Sequence, residues 1–393
     1  MHVTHVITRL IVGGAQENTV ATVLGLRERT GVDVELLSGP TSGAEGSMES
    51  SFASCPQVLK LVPSLVRPVH PWKDTLALLH LTRHFRSQRP DLVHTHSGKA
   101  GVLGRLAGRR AGVRAIVHHI HGPSFGDFQG PLANKVFLTA ERIAGKATTH
   151  FVCSANAMTR RYLAAGIGRP DMYTRVFSGF QLEPFLVASN DPALRARLGL
   201  KPEEFVIGKI ARLAPLKGHE DLFEAFTRLL PDWPAARLLL VGDGALRSQL
   251  EIRARQLGIW DKVVFAGLVP PTEVARYIGL MDCVVHLSFR EAVSRALPQA
   301  LAAGKPVLAY DFDGADEVCF QGETGFLVRT GDIPAVTGHL LELARDPELR
   351  QQFGNRGREM VKENFPVQKM IEDLYQLYVR LVEGKKMGTL MAS

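Results

Sequence analysis

Short apolar runs alternate with helix-patterned stretches along almost the whole chain, and this rhythm limits the fold more than any other feature. "HVTHVIT", "DVELLS", "DLVHTH", "RAIVHHIH" and "THFVCS" carry it through the first half; "FVIGKIA", "RLLLVG", "KVVFAG", "CVVHLS" and "KPVLAYD" restart it in the second. Runs this rich in Val, Ile and Leu read as strands covered on both faces, which crossover helices achieve in a parallel sheet. Between the two series lies a passage at 178–200 punctuated by Pro and Gly. At 393 residues the chain is long for one core. The expectation is an α/β protein with two doubly wound, parallel-sheet, Rossmann-like domains, 1–185 and 186–365, and a helical tail at 366–385 packing back on the first. Two such sheets present the C-terminal ends of their strands to a shared cleft, so function is sought in the loops there.

The net charge of +8 is unevenly spread. Residues 1–185 hold 21 Lys and Arg against 12 Asp and Glu; the remainder holds 26 against 27. Much of the excess sits in "KAGVLGRLAGRRAGVR", where Lys99, Arg105, Arg109, Arg110 and Arg114 punctuate a helix pattern. Such a basic face suits phosphate-bearing substrates or peripheral contact with an anionic membrane. Nucleic acid is disfavoured, because no aromatics interleave the basic residues. Cys55, Cys153, Cys283 and Cys319 are too scattered for a metal or redox motif, which points to a cytoplasmic protein. No signal-peptide layout opens the chain, and no apolar run approaches the roughly 18 residues of a membrane span.

Four loops carry candidate chemistry. In "RLIVGGAQENT", Gly13 and Gly14 follow the first strand and precede a helix, so backbone N–H groups can approach an anion. The spacing is not the dinucleotide fingerprint. In "GKIARLAPLKGHEDLFEAF", Arg212 and Lys217 stand five residues apart at the mouth of a strand and can converge on one diphosphate. In "VGDGALRSQL", Gly242 and Gly244 relieve crowding where a ligand or the other domain passes. In "SFREAVSRALPQALAAGKPVLA", Glu291 accepts from sugar hydroxyls while the N–H groups of Val293 and Ser294 open a helix and receive phosphate oxygens. Eight helical residues advance about 12 Å, so Gln299 grips a different part of the ligand from Glu291. Pro298, read as lying beyond the first helical turn, invites a kink.

From "GGAQENT" through "DLVHTHSGKAGVLGRLAGRRAGV", "HHIHG", "ARLAPLKG" and "REAVSRALPQALAAGKPV" to "GETGFLV", the chain resembles the retaining glycosyltransferases of family 4, which have the GT-B fold. The resemblance implies that Glu291 meets the donor sugar, that Gln299 stands where a second acid binds the ribose, and that Arg212 and Lys217 neutralise the departing diphosphate. It also places His121 and Gly122 beside the reacting sugar. Gln299 keeps an acceptor oxygen without the charge, and Ala292 replaces a usual Gly. The implied partners are a nucleotide-diphosphate sugar and a sugar or lipid-linked acceptor in surface glycan synthesis. No cofactor and no metal is expected. Asp311 and Asp313 form a D-x-D pair in the wrong place for a metal-bound diphosphate, and His94, His96, His118 and His119 lack zinc-site spacing. The competing readings are a nucleotide-sugar epimerase or hydrolase, and a non-catalytic nucleotide-sugar-binding subunit.

Overall fold

The computed structural model describes residues 1–41, 46–96 and 98–390, of which 385–390 by backbone alone. The chain divides into two compact units: Met1–Phe180 with the segment from Val367 onward, and Gln181–Pro366.

Among the described residues, the first unit builds a seven-stranded sheet. Its strands are β1 (His2–Ile7), β2 (Asp33–Ser38), β3 (Leu59–Leu61), β4 (Leu92–His96), β5 (Ala115–Ile120), β6 (His150–Cys153) and β7 (Tyr173–Arg175). They lie in the order β3-β2-β1-β4-β5-β6-β7, every pair parallel. The order reverses between β1 and β4, the switch point at which loops open a binding crevice. One face packs Val6, Leu37 and Val93 against Ala77, Leu81 and Phe85 of the helix Pro71–Gln88 and Ala100 and Ala107 of the helix Gly98–Ala111. The other packs Val3, Leu36 and Val117 against Val20 and Val23 of the helix Gly14–Arg27 and Met370, Leu374 and Tyr378 of the helix Val367–Leu390.

The second unit repeats the plan with β8 (Phe205–Ile210), β9 (Ala236–Val241), β10 (Val263–Gly267), β11 (Cys283–His286), β12 (Val307–Tyr310) and β13 (Gly325–Val328). Their order is β10-β9-β8-β11-β12-β13, again parallel throughout, with the reversal between β8 and β11. Each of the ten apolar runs falls on a strand. β3, β7 and β13 are additional, and each is an edge strand of three or four residues, too short to show a pattern. The four cysteines are buried free thiols. Among the described residues, no helix is long and apolar enough to cross a membrane.

Candidate active site

The two loops at the second unit's switch point are tied together by their own backbones. The loop after β8 places Leu216 and Gly218 in the left-handed region, with φ of 66° and 64°. A Cβ on Gly218 would lie 1.8 Å from the carbonyl oxygen of Leu287, so only glycine lets the loop after β11 pass this closely. The Leu216 carbonyl then accepts from Phe289 N at 2.9 Å and from Ser288 Oγ at 3.1 Å. This clamp brings together two residues 74 apart in sequence: Lys217 Nζ donates to Glu291 Oε1. Both side chains are mostly covered. Glu291 is also held from behind, its N–H donating to Asp313 Oδ2 at 3.1 Å, while Gly314 N donates to the Ala292 carbonyl at 3.0 Å.

Titratable side chains are concentrated around this contact. His286, on β11, points Nε2 at Glu291 Oε1 across 3.6 Å and shares Nδ1 with Ser294 Oγ at 3.4 Å. Burial alone would raise the Glu291 carboxyl, but the Lys217 ammonium and His286 outweigh it and hold the group well below the usual carboxylate range. Burial pushes His286 down to about 4, against the pull of Glu291. Lys209, on β8, is fully buried with no hydrogen-bond partner for Nζ among the described residues. Burial, and then the charge of Lys217, brings its ammonium down to about 7. His219, which opens the helix His219–Leu229, is pushed down to about 2 by burial. The result is a Lys217–Glu291 ion pair set against side chains that burial drives toward their neutral forms.

The other predicted residues distribute as follows. Arg212 lies exposed just after β8, on the loop that carries Lys217. Gly242, at φ 133°, lies against that loop: a Cβ there would sit 2.1 Å from the Ala211 carbonyl oxygen. The crowding it relieves is thus the Arg212 loop's own backbone. Val293 and Ser294 do not open a helix, which begins at Ala296 and ends at Ala302. Their N–H groups belong to the preceding loop, and the path from Glu291 to Gln299 is only partly helical. Pro298 is in the first turn, where an N–H has no helical acceptor, so it breaks no bond and enforces no kink; Gln299 N makes the first bond, to the Arg295 carbonyl at 3.1 Å. Gln299 is buried.

In the first unit, Gly13 caps the helix Gly14–Arg27 with extended backbone. His121 follows β5, and its Nε2 shares a hydrogen bond with His96 Nδ1 at 2.9 Å. The predicted basic face loses two members: Arg105 is wholly buried and donates to Glu141 at 2.6 Å, and Lys99 is held on Asp74 at 2.5 Å. Arg109 and Arg110 are exposed. Sequence reasoning missed Lys209 and His286, each a polar residue inside or at the end of an apolar run, and His219, which follows Gly218 at a helix start and carried no such signal. It also set Asp313 aside with its D-x-D pair, whereas the structure gives that carboxylate a backbone to hold.

The chain is similar in sequence and fold to known proteins. Residues 190–360 match the family described as Glycosyl transferases group 1, and residues 13–176 match the Glycosyl transferase 4-like domain. The GDP-mannose-dependent alpha-(1-6)-phosphatidylinositol monomannoside mannosyltransferase of Mycolicibacterium smegmatis is 30% identical over 278 residues, 67% of this chain and 69% of that protein. The chain belongs to this family of glycosyltransferases. Escherichia coli UDP-Gal:alpha-D-GlcNAc-diphosphoundecaprenol alpha-1,3-galactosyltransferase is 27% identical to the glycosyltransferase, covering 82% of this chain and 84% of that one. Among solved structures, Anabaena HepE in complex with UDP and glucose superposes with a TM-score of 0.80 at 21% identity, covering 95% of this chain and 98% of that chain. The likeness carries the fold, GT-B, with two parallel-sheet Rossmann-like domains. The comparisons favour glycosyl transfer over the epimerase, hydrolase and non-catalytic readings.

Proposed function

We propose that the glycosyltransferase moves a sugar from a nucleotide-diphosphate sugar to an acceptor hydroxyl with retention of configuration. The observation that carries this reading is the clamp of Lys217 on Glu291, a cation and a carboxylate fixed side by side at a strand switch point. An ammonium has three donors, and Glu291 takes one. The others, with Arg212 and the loop N–H groups of Val293 and Ser294, meet the oxygens of the departing diphosphate. Glu291, kept ionised by its neighbours, accepts from hydroxyls of the transferred sugar. Gln299 takes the ribose, and Gly13, Gly14 and His121 serve the acceptor side and the reacting sugar. Retention rests on the family resemblance. Because the leaving group's charge is met by these side chains and dipoles, the reaction requires no divalent ion.

The acceptor is a lipid-linked sugar reached at a membrane. Two relatives support this by their names, one for a diphosphoundecaprenol acceptor and one for a phosphatidylinositol monomannoside. The first unit also shows a suitable surface. The helices Pro71–Gln88 and Pro131–Gly145 both pack beside the helix Gly98–Ala111. Trp72 on one and Leu132 on the other are each 78% exposed, with Leu76, Leu79, Val136 and Ile143 also uncovered. Exposed Lys73, Arg83, Lys135 and Arg142 stand among them. Exposed apolar and cationic side chains on the same two helices suit an anionic interface.

The test is transfer by the purified protein from UDP- and GDP-sugars to polyprenyl-diphosphate sugars, with and without chelator, the product's anomeric configuration read by NMR. Lys217→Ala is expected to lower transfer by about 10²–10³-fold, the scale of losing a charge-stabilising donor, without unfolding the protein. Near-normal turnover in that variant, or inversion at the anomeric carbon, rejects the mechanism.

A further inference from the structure

One face of the first unit's sheet carries a group of imidazoles. β1 and β4 are in register at His5 and His94, and β4 and β5 at His96 and His119. Positions two apart on a strand share a face, so His5, His94, His96 and His119 gather there, with His121 just past β5. Three are linked in series: His5 Nδ1 to His96 Nε2 at 2.9 Å, and His96 Nδ1 to His121 Nε2 at 2.9 Å. His94 Nδ1 turns instead to the Tyr378 hydroxyl at 2.5 Å, and His119 Nε2 to Ser154 Oγ at 3.2 Å. His5 and His96 are wholly buried. Burial pushes His5 down to about 3 and His96 well below the ordinary imidazole range, so at neutral pH each carries a single ring proton.

With His96 neutral, the series has two polarities. In the first, His5 donates from Nδ1, and His96 donates from Nδ1 to His121 Nε2. In the second every proton sits on the opposite nitrogen, and His5 must carry its N–H on Nε2. That atom is buried with no hydrogen-bond partner among the described residues. Folded proteins leave buried N–H donors unpaired more rarely than buried acceptors, and such an orphan costs about 1–3 kcal/mol. His121, at the other end of the series, is less buried than His5 and His96. A divalent ion suits this arrangement poorly. The two sets whose ligand atoms lie within 4.8 Å of one another are His5, His94, His96 and His96, His119, His121. Both need His96, whose two nitrogens are already engaged by His5 and His121.

We propose that His96 and His5 are positioning residues that hold His121 as the tautomer protonated on Nδ1. His121 then meets the substrate as a hydrogen-bond donor, its remaining lone pair filled by His96, and does not act as the base for the acceptor hydroxyl. This rests on the reading of His121 as a residue beside the reacting sugar.

The experiment is long-range ¹H–¹⁵N NMR of the full chain labelled at histidine, with His121 assigned by loss of its signals in His121→Gln. The expected result is an unprotonated Nε2 and a protonated Nδ1 on His121; the reverse pattern overturns the proposal. His96→Leu removes the donor, so His121 is expected to relax toward a mixture of tautomers and kcat to fall about tenfold, the scale of one hydrogen bond, with KM for the donor sugar little changed. His96→Asn places an amide N–H where Nδ1 stood and is expected to restore both readouts. Failure of His96→Asn to restore either, or a stoichiometric zinc titration that removes the His96 and His121 signals together, also overturns it. The wild-type spectrum decides the tautomer even if His96→Leu does not fold. Full transfer activity in His121→Ala would instead reject the placement of His121 at the sugar, a failure distinct from a wrong tautomer.

Discussion

Acidification should loosen the first unit well before its carboxylates titrate. His5, His94, His96, His118 and His119 are all buried in that unit, and burial holds His5 at about 3 and the other four well below the ordinary value. In the unfolded chain each returns to roughly 6.5. The unfolded state therefore binds more protons as pH falls through 6.5, and stability is lost from there down to the depressed folded values. Between pH 7.5 and 5.5 an imidazole that cannot protonate when folded costs about 1.4 kcal/mol by this linkage, so five cost roughly 5–7 kcal/mol. That is a large share of a typical domain's 5–15 kcal/mol. The second unit holds a smaller set of this kind, His219 at about 2 and His286 at about 4, with Lys209 at about 7 adding a part share, so its loss is expected to be smaller. Hydrogen exchange by mass spectrometry, corrected for the intrinsic pH dependence of exchange, reads the opening free energy of β4 and β5 separately from that of β8 and β11. A change below about 1 kcal/mol in the first unit, or equal losses in both, would refute the reasoning.

Gly218→Ala should cost roughly 2–4 kcal/mol, combining the left-handed backbone with a contact that moves the loop of Leu287. Thermal unfolding and donor affinity should fall together, and an unchanged melting temperature would show that the two loops are not clamped there. Gln299→Glu should tighten nucleotide-sugar binding through a charge-assisted bond while lowering the melting temperature of the unliganded protein, because the new carboxylate is buried. Calorimetry showing weaker binding would reject the ribose assignment.

What could be read from the sequence was set by how local its cause is. β2 and β8 announce themselves because five consecutive residues in each, 34–38 and 205–209, meet the same requirement, burial on both sides. β3, β7 and β13 do not, since a short edge strand is defined by its neighbour. The same division runs through the site. Lys217 and Glu291 were visible as residue types at strand ends, but their contact depends on Gly218 admitting a backbone from a segment about 70 residues away. Arg105 looked like a solvent cation because its helix is basic; Glu141, which buries it, lies 36 residues on. Pro298 looked like a breaker only because the start of its helix had been placed too early. The row of imidazoles was hidden for a related reason: His5 joins His96 through strand register, which spacing within either segment does not reveal.

The return of the chain at Val367 has a consequence for biosynthesis. Val367 N donates to the Phe180 carbonyl at 3.1 Å, so the departure and the return of the polypeptide are bonded side by side. Met370, Leu374, Leu377, Tyr378 and Val382 belong to the core that β1 and β4 share. Domains generally fold as units during synthesis. Here the core of residues before Phe180 lacks one wall until residues 367–382 have been made, whereas the inserted half, closed by residue 366, is complete before that.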